Sequence, residues 1–261
     1  MADPGRTVRS GRGSHVRIAL MADLHANREA FDACVQQARA KGTDRFAFLG
    51  DLVGYGADPV WVVDAVMDLT AKGAIAVLGN HDFAVAETRE GLTPDADLVI
   101  GWTRGQLGAE AREFLASLPM RYEDDTRLYV HASAQTYPKW PYVDSAHAAQ
   151  RALEASRAQS IFCGHVHVPA IYGINPTGKL VSFQPVPGVA VPLPRHRRWL
   201  AVLGSVGQPR DGNSSACWAS LDTERHEITY HRVVYDVELA AAKIRRAGLP
   251  EALARRLLKG A

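Results

Sequence analysis

The chain has 261 residues, 47% hydrophobic and 22% charged, the make-up of a globular protein of one or at most two domains. Its formal net charge of +2 is too small to argue for nucleic acid or an anionic membrane surface as partner. No apolar run approaches the roughly 20 residues of a spanning helix. Three scattered cysteines, Cys34, Cys163 and Cys217, form no C-x-x-C pair and point to a reducing, cytoplasmic setting.

Residues 1–14 are rich in Gly, Arg and Ser and lack the apolar centre of a signal peptide, so they read as a disordered tail ahead of one domain over 15–261. Val16–Met21 reads as a buried strand. A helix over Arg28–Ala40 follows, with Asn27 as N-cap and Phe31, Cys34, Val35 and Ala38 on one face. Arg45–Leu49 is a second strand, Asp58-Pro59 opens a helix with Asp as its cap, and Ala74–Leu78 is a third strand. Thr93-Pro94 starts a helical stretch towards Leu118. Leu128–Val130 and Ser160–Cys163 are strands separated by a helix near Ala146–Arg157. The last third is strand-like at Val168–Tyr172, Lys179–Val186, Trp199–Leu203, Ala216–Leu221 and His226–Val234, with Gly, Pro and Asn turns between. Two short helices, Val237–Ala247 and Pro250–Lys259, close the chain, either across the sheets or as a homodimer contact. A β–α part followed by a β-rich part predicts an α/β (α+β) fold, with two packed mixed sheets flanked by helices.

Five polar clusters each follow a predicted strand: Asp23-Leu24-His25, Gly50-Asp51, Gly79-Asn80-His81-Asp82, Val130-His131 and Gly164-His165-Val166-His167. Loops converge at the carboxyl ends of strands in α/β sheets, so these clusters would meet at one edge. Each has a plain reading when alone. A D-x-H pair can face solvent or cap a helix, Gly-Asp is a turn, Gly-Asn favours a hairpin turn, and a lone His often sits satisfied in a core. Together they supply carboxylate, amide and imidazole ligands without thiolate, a set suited to manganese, iron or zinc, with nickel or cobalt also admissible. Strand alternation would place Asp23 with His25, and His165 with His167, on one side. A two-oxygen carboxylate such as Asp51 can bridge two cations.

In this order the clusters resemble the calcineurin-like metallophosphoesterases: D-x-H, GD, GNH[D/E], a lone His, then GHxH. DLHANREA, GDLVGYGADP, GHVHVP, GSVGQPRDG and YDVELAAAKIRRAGLP further resemble a bacterial and archaeal branch labelled metallophosphatase or YfcE-like phosphodiesterase. The resemblance implies that Asp23, His25 and His167 hold one metal and Asn80, His131 and His165 a second, with Asp51 bridging. His81 would serve the leaving oxygen as proton or hydrogen-bond donor, and a metal-bound hydroxide would attack the phosphate ester of a small molecule or nucleotide. The G-D-x-x-D-R-G of the protein Ser/Thr phosphatases is absent here, where Gly50–Gly56 reads GDLVGYG. That argues against a protein phosphatase and leaves the orientation of His81 unexplained; Asp82 is an adjacent candidate, although neighbouring side chains often point apart. Arg210, in the turn-rich stretch Gly204–Gly212, is a candidate phosphate contact. Tyr137, Trp140 and Tyr142 of the aromatic, Pro-rich loop 135–143 are candidates for stacking on a base or for packing a lid. A dinucleoside polyphosphate hydrolase and a non-catalytic scaffold of the same fold are the competing readings; a nuclease lacks a basic groove.

Overall fold

The computed structural model of the chain describes residues 16–87, 94–124, 126–135 and 139–261. In order, the elements are β1 (Arg17–Met21), α1 (Arg28–Ala40), β2 (Arg45–Leu49), α2 (Pro59–Ala71), β3 (Ile75–Val77), α3 (Asn80–Ala86), α4 (Pro94–Gln106), α5 (Ala109–Ser117), β4 (Arg121–Asp124), β5 (Arg127–Val130), α6 (Ala146–Glu154) and β6 (Ser160–Cys163). There follow β7 (Ala170–Ile174), β8 (Leu180–Phe183), β9 (Ala190–Pro192), β10 (Arg198–Val202), β11 (Ala216–Asp222), β12 (Glu227–Val233), α7 (Val237–Arg246) and α8 (Glu251–Lys259). The expected tail lies outside the described residues.

Two six-stranded sheets form, ordered β3-β2-β1-β11-β12-β9 and β4-β5-β6-β10-β7-β8. Alternation of side chains explains why the central strands are apolar throughout: both of their faces are covered. In β1, Ile18 and Leu20 join Tyr129, Phe162, Ile171 and Ala201 of the opposite sheet. Ala19 and Met21 point the other way, to Phe31, Cys34 and Val35 of α1. The outer face of the second sheet packs Leu128, Ile161 and Leu200 on Ala149, Ala152 and Leu153 of α6. Helices α7 and α8 pack Ile244, Leu253 and Leu257 with Val99 of α4, on the chain's own surface.

Several elements differ from expectation. Thr93 lies outside the described residues, and the stretch towards Leu118 breaks in two, because Gly108 is the extended cap before α5. Asp58 precedes α2 without capping it; its carboxylate is held instead by Lys243 Nζ at 2.9 Å. Gly79-Asn80-His81-Asp82 opens α3 and is no hairpin turn. Strands β4 and β9, three or four residues long, escaped the sequence reading.

For the site, direction matters most. β1, β2 and β3 run parallel, as do β5, β6 and β10. Six carboxyl ends therefore send their loops to one edge of the sandwich.

Candidate metal centre

The loops lock to one another through their backbones. Asp23, His25 and Ala26 N–H groups donate to the Gly50, Asp51 and Leu52 carbonyls at 3.1, 2.9 and 2.9 Å, and Gly207 N–H donates to Asp23 O at 2.8 Å. Five of the seven candidate ligands have left-handed backbone: Asp23, His25, Asp51, His165 and His167, with φ of 56, 47, 51, 69 and 64°. Strand alternation is thus not what aligns Asp23 with His25 or His165 with His167. Both pairs lie past their strands, and sparsely populated backbone conformations, costing of order 1–3 kcal/mol each, aim their side chains.

All seven side chains meet. His25 Nε2 and His167 Nε2 face each other at 3.1 Å, with Asp23 Oδ1 at 3.3 Å from the latter. His131 Nε2 lies 3.1 Å from both Asn80 Oδ1 and His165 Nδ1. Between the two groups stands Asp51, whose Oδ2 is 3.3 Å from His131 Nε2 and 3.8 Å from His25 Nε2. Its Oδ1 accepts from the His81 N–H at 2.9 Å.

The donor set fits cations. Nδ1 of His25, His131 and His167 each meets a backbone carbonyl, of Val53 at 3.2 Å, Leu49 at 2.8 Å and Gln208 at 2.6 Å. A carbonyl can only accept, so each Nδ1 carries a proton, and a ring in its neutral form then turns its Nε2 lone pair inward. Lone pairs facing at 3.1 Å cannot bond one another. Imidazole nitrogens bound about 2.0–2.1 Å from a shared ion would be roughly 3.0–3.4 Å apart. Asp23-His25-His167 and Asp51-His131-His165 each gather within ligand reach, and so does His25-Asp51-His81. In that third group His81 Nε2 keeps 4.0 Å from Asp51 Oδ2, farther than His25 or His131.

Electrostatics follow from burial against a shared charge. Burial, then His167, holds His25 well below the usual imidazole range. Burial and His131 bring His165 down to about 4. Burial opposes the charge on His131, yet the Asp51 carboxylate outweighs it and raises this imidazole to about 9. Asp51 is held well below the ordinary carboxylate range, because His131, His81 and His25 overcome the cost of its burial.

Asp82 does not orient His81. Its Oδ1 accepts from Val53 N–H at 3.1 Å and its Oδ2 from Gly79 N–H at 3.0 Å. Burial, then Asp51, pushes its carboxyl up to about 7. His81 instead packs against the Tyr55 ring at 4.4 Å. Arg210 reaches the same edge, its guanidinium 5.8 Å from the Tyr55 centroid and 3.1 Å from Gln208 Oε1. Trp140 presents its ring to His131 at 5.6 Å, edge to face, and its indole N–H is buried without a partner among the described residues. Tyr137 lies outside the described residues. Tyr142 stacks on His165 at 4.1 Å and is 51% exposed. The sequence reading missed Tyr55 and the carbonyls of Leu49, Val53 and Gln208. GSVGQPRDG turns out to be more than a turn, since it carries the carbonyl that aligns His167.

Comparison with known proteins agrees with this geometry. Residues 16–226 match the calcineurin-like phosphoesterase superfamily domain, and the chain belongs to that superfamily. It is 31% identical over 249 residues to an uncharacterized protein of Methanocaldococcus jannaschii, covering 93% of this chain and 98% of that one. A metallophosphoesterase from Sphaerobacter thermophilus superposes with a TM-score of 0.84 at 34% identity, over 95% of this chain and 100% of that one. A hypothetical protein from Pyrococcus horikoshii shares the fold, with a TM-score of 0.73 at 20% identity over 94% and 99%. Among the described residues no helix is long and apolar enough to cross a membrane, and all three cysteines are free and buried.

Proposed function

We propose that the chain is a two-metal phosphoesterase hydrolysing a small-molecule or nucleotide phosphate ester. The observation that carries this reading is the pair of inward-facing imidazole sets, each at 3.1 Å, on either side of one buried carboxylate. Asp23, His25 and His167 would hold one cation, Asn80, His131 and His165 the other, and Asp51 both. Manganese, iron and zinc all suit the donors. Bound there, such cations supply Lewis acidity to phosphoryl oxygens and make a water a competent nucleophile near neutral pH.

The chain's own groups do the rest. The carbonyls of Val53, Leu49 and Gln208 fix three imidazole tautomers, so the ligands are pre-set. His81, at the rim and outside both imidazole pairs, holds a proton for the departing oxygen, a contribution of about 10²–10⁴-fold. Arg210 offers its remaining N–H donors to a non-bridging phosphate oxygen. Tyr142 provides a half-exposed ring parallel to His165, which favours substrates with a planar group, nucleotides among them. Buried, free thiols suit a reducing compartment.

Anomalous diffraction at the manganese, iron and zinc edges, on crystals of the protein as purified, tests the core of this reading alongside hydrolysis of aryl phosphate esters. Two peaks among the seven side chains, with metal-dependent turnover, support it. An ordered but metal-free site after manganese soaking, with no turnover, overturns it in favour of a scaffold.

A further inference from the structure

We propose that Tyr55 is the residue that positions His81, through packing of its ring. The inference rests on the reading of His81 as the leaving-group donor and names what holds that donor in place.

No polar group among those described fixes the His81 ring. Its Nδ1 is buried without a hydrogen-bond partner, and Asp51 Oδ2, 4.0 Å from Nε2, is beyond hydrogen-bond reach. Asp82, adjacent in sequence, has each oxygen engaged by a backbone N–H group instead. What remains is shape. Tyr55 meets the imidazole at 4.4 Å with an interplanar angle of 64°, and His25 meets it at 5.0 Å and 85°. Gly54 forms the floor: any Cβ there would overlap His81 Nδ1, and its φ of +87° favours glycine regardless of space. These contacts flank the imidazole, and edge-to-face aromatic contacts are worth about 0.5–1.5 kcal/mol beyond area burial.

Tyr55 is itself held firmly enough to act as a wall. Its backbone is left-handed, with φ of 64°, a state that persists only when the surroundings over-determine it. Val53 N–H is tied to Asp82, and Gly56 N–H is tied to His25 O at 3.0 Å. The Tyr55 ring also leans on His25 at 4.5 Å, and Arg210 stands over it. Asp82 thus acts on His81 at one remove, by fixing the loop that carries Gly54 and Tyr55.

The test is the dependence of turnover on leaving-group pKa across aryl and alkyl phosphate esters, with metal content measured for every variant. His81→Ala should lose about 10²-fold or more on alkyl esters and little on nitrophenyl esters, whose leaving oxygen needs no proton. Tyr55→Ala should show the same pattern with a loss of roughly 10–10²-fold, the cost of a donor misplaced by about 1 Å. Tyr55→Phe should keep most of the wild-type rate, and the double variant should be no slower than His81→Ala. Independently of activity, a crystal structure of Tyr55→Ala should show the His81 ring in more than one rotamer. If His81→Ala slows all esters alike, the donor reading itself fails. If His81→Ala is selective while Tyr55→Ala slows all esters alike, or leaves His81 in one rotamer, only the Tyr55 proposal is overturned. Tyr55→Leu, which keeps bulk without an aromatic edge, carries the same test should the Ala variant fail to fold.

Discussion

Asp51 is only 1% exposed, and its Oδ2 stands between His131 Nε2 and His25 Nε2. A charge shared in this way makes the two cation positions interdependent. Asp51→Asn keeps the shape and one oxygen but removes the charge, so both metals should be lost together. His167→Ala should empty chiefly its own position. Metal stoichiometry by mass spectrometry distinguishes these outcomes, and an Asp51→Asn protein retaining one full equivalent would contradict the bridging role. His81→Ala belongs to another class, since its Nε2 lies 4.0 Å from Asp51 Oδ2, farther than His25 or His131. Turnover of alkyl esters should fall about 10²–10⁴-fold while metal content stays at the wild-type level; a metal-depleted variant would make His81 a ligand. That the seven candidate ligand residues come together was legible because Asp, His and Asn recur at strand ends, a pattern with few structural uses. The carbonyls that fix their tautomers were not, because every residue carries one. Nor did Asp23, His25 or His165 advertise left-handed backbone, which only the interlocked loops impose.

At the scale of elements, α3 carries Asn80 and His81 and ends under a guanidinium. Arg104 of α4 donates to the Ala84, Val85 and Glu87 carbonyls at 2.5, 3.0 and 3.0 Å, satisfying groups that a helix end leaves open. Arg104→Ala should cost about 1.5–3 kcal/mol, the range for hydrogen bonds to a charged group, seen as a lower midpoint in urea. An unchanged midpoint would mean water replaces the guanidinium. On the far side of the first sheet, His231 of β12 is packed on Trp218 at 4.3 Å and bonded to Ser220 Oγ at 2.9 Å. Burial, aided by Lys41, brings its imidazole down to about 4. The unfolded value is about 6.5, so between the two the unfolded chain binds more protons. This residue's contribution to stability is therefore intact above about pH 6.5 and is lost as pH falls towards 4. In urea titrations, His231→Gln should be less acid-sensitive than wild type over that window, and parallel slopes would refute the assignment. The strands and helices flanking the site were readable from apolar runs and from caps such as Asn27, which accepts from Ala30 N–H at 3.2 Å. Short edge strands were not. β9, with Pro192 among its three residues and little buried surface, has no periodicity to detect. α3 hid behind Gly79-Asn80, whose turn chemistry masked a helix start.

Taken whole, the molecule is two sheets whose site lies across their shared edge. Asp23, His25, Asp51 and Asn80 follow strands of the first sheet, and His131, His165 and His167 follow strands of the second. Each proposed cation position draws on both sheets, so bound metal would act as a clamp between them as well as a reagent. Without metal, ring nitrogens stand 3.1 Å apart and five candidate ligand residues with left-handed backbone are held by loop packing alone. Anything that binds only the folded state adds stability by mass action, about 2.7 kcal/mol at a hundred-fold excess over Kd. Chelation should therefore lower the thermal midpoint, and manganese should restore it in proportion to the logarithm of its concentration. The Asp51→Asn protein should respond far less, since the charge common to both positions is gone. Hydrogen exchange should localise the effect to the loops after β1, β2, β5 and β6, leaving the sheet interiors unchanged. A midpoint indifferent to chelator and manganese in metal-loaded wild type would mean that the sheets need no clamp and that the loops are rigid through packing alone.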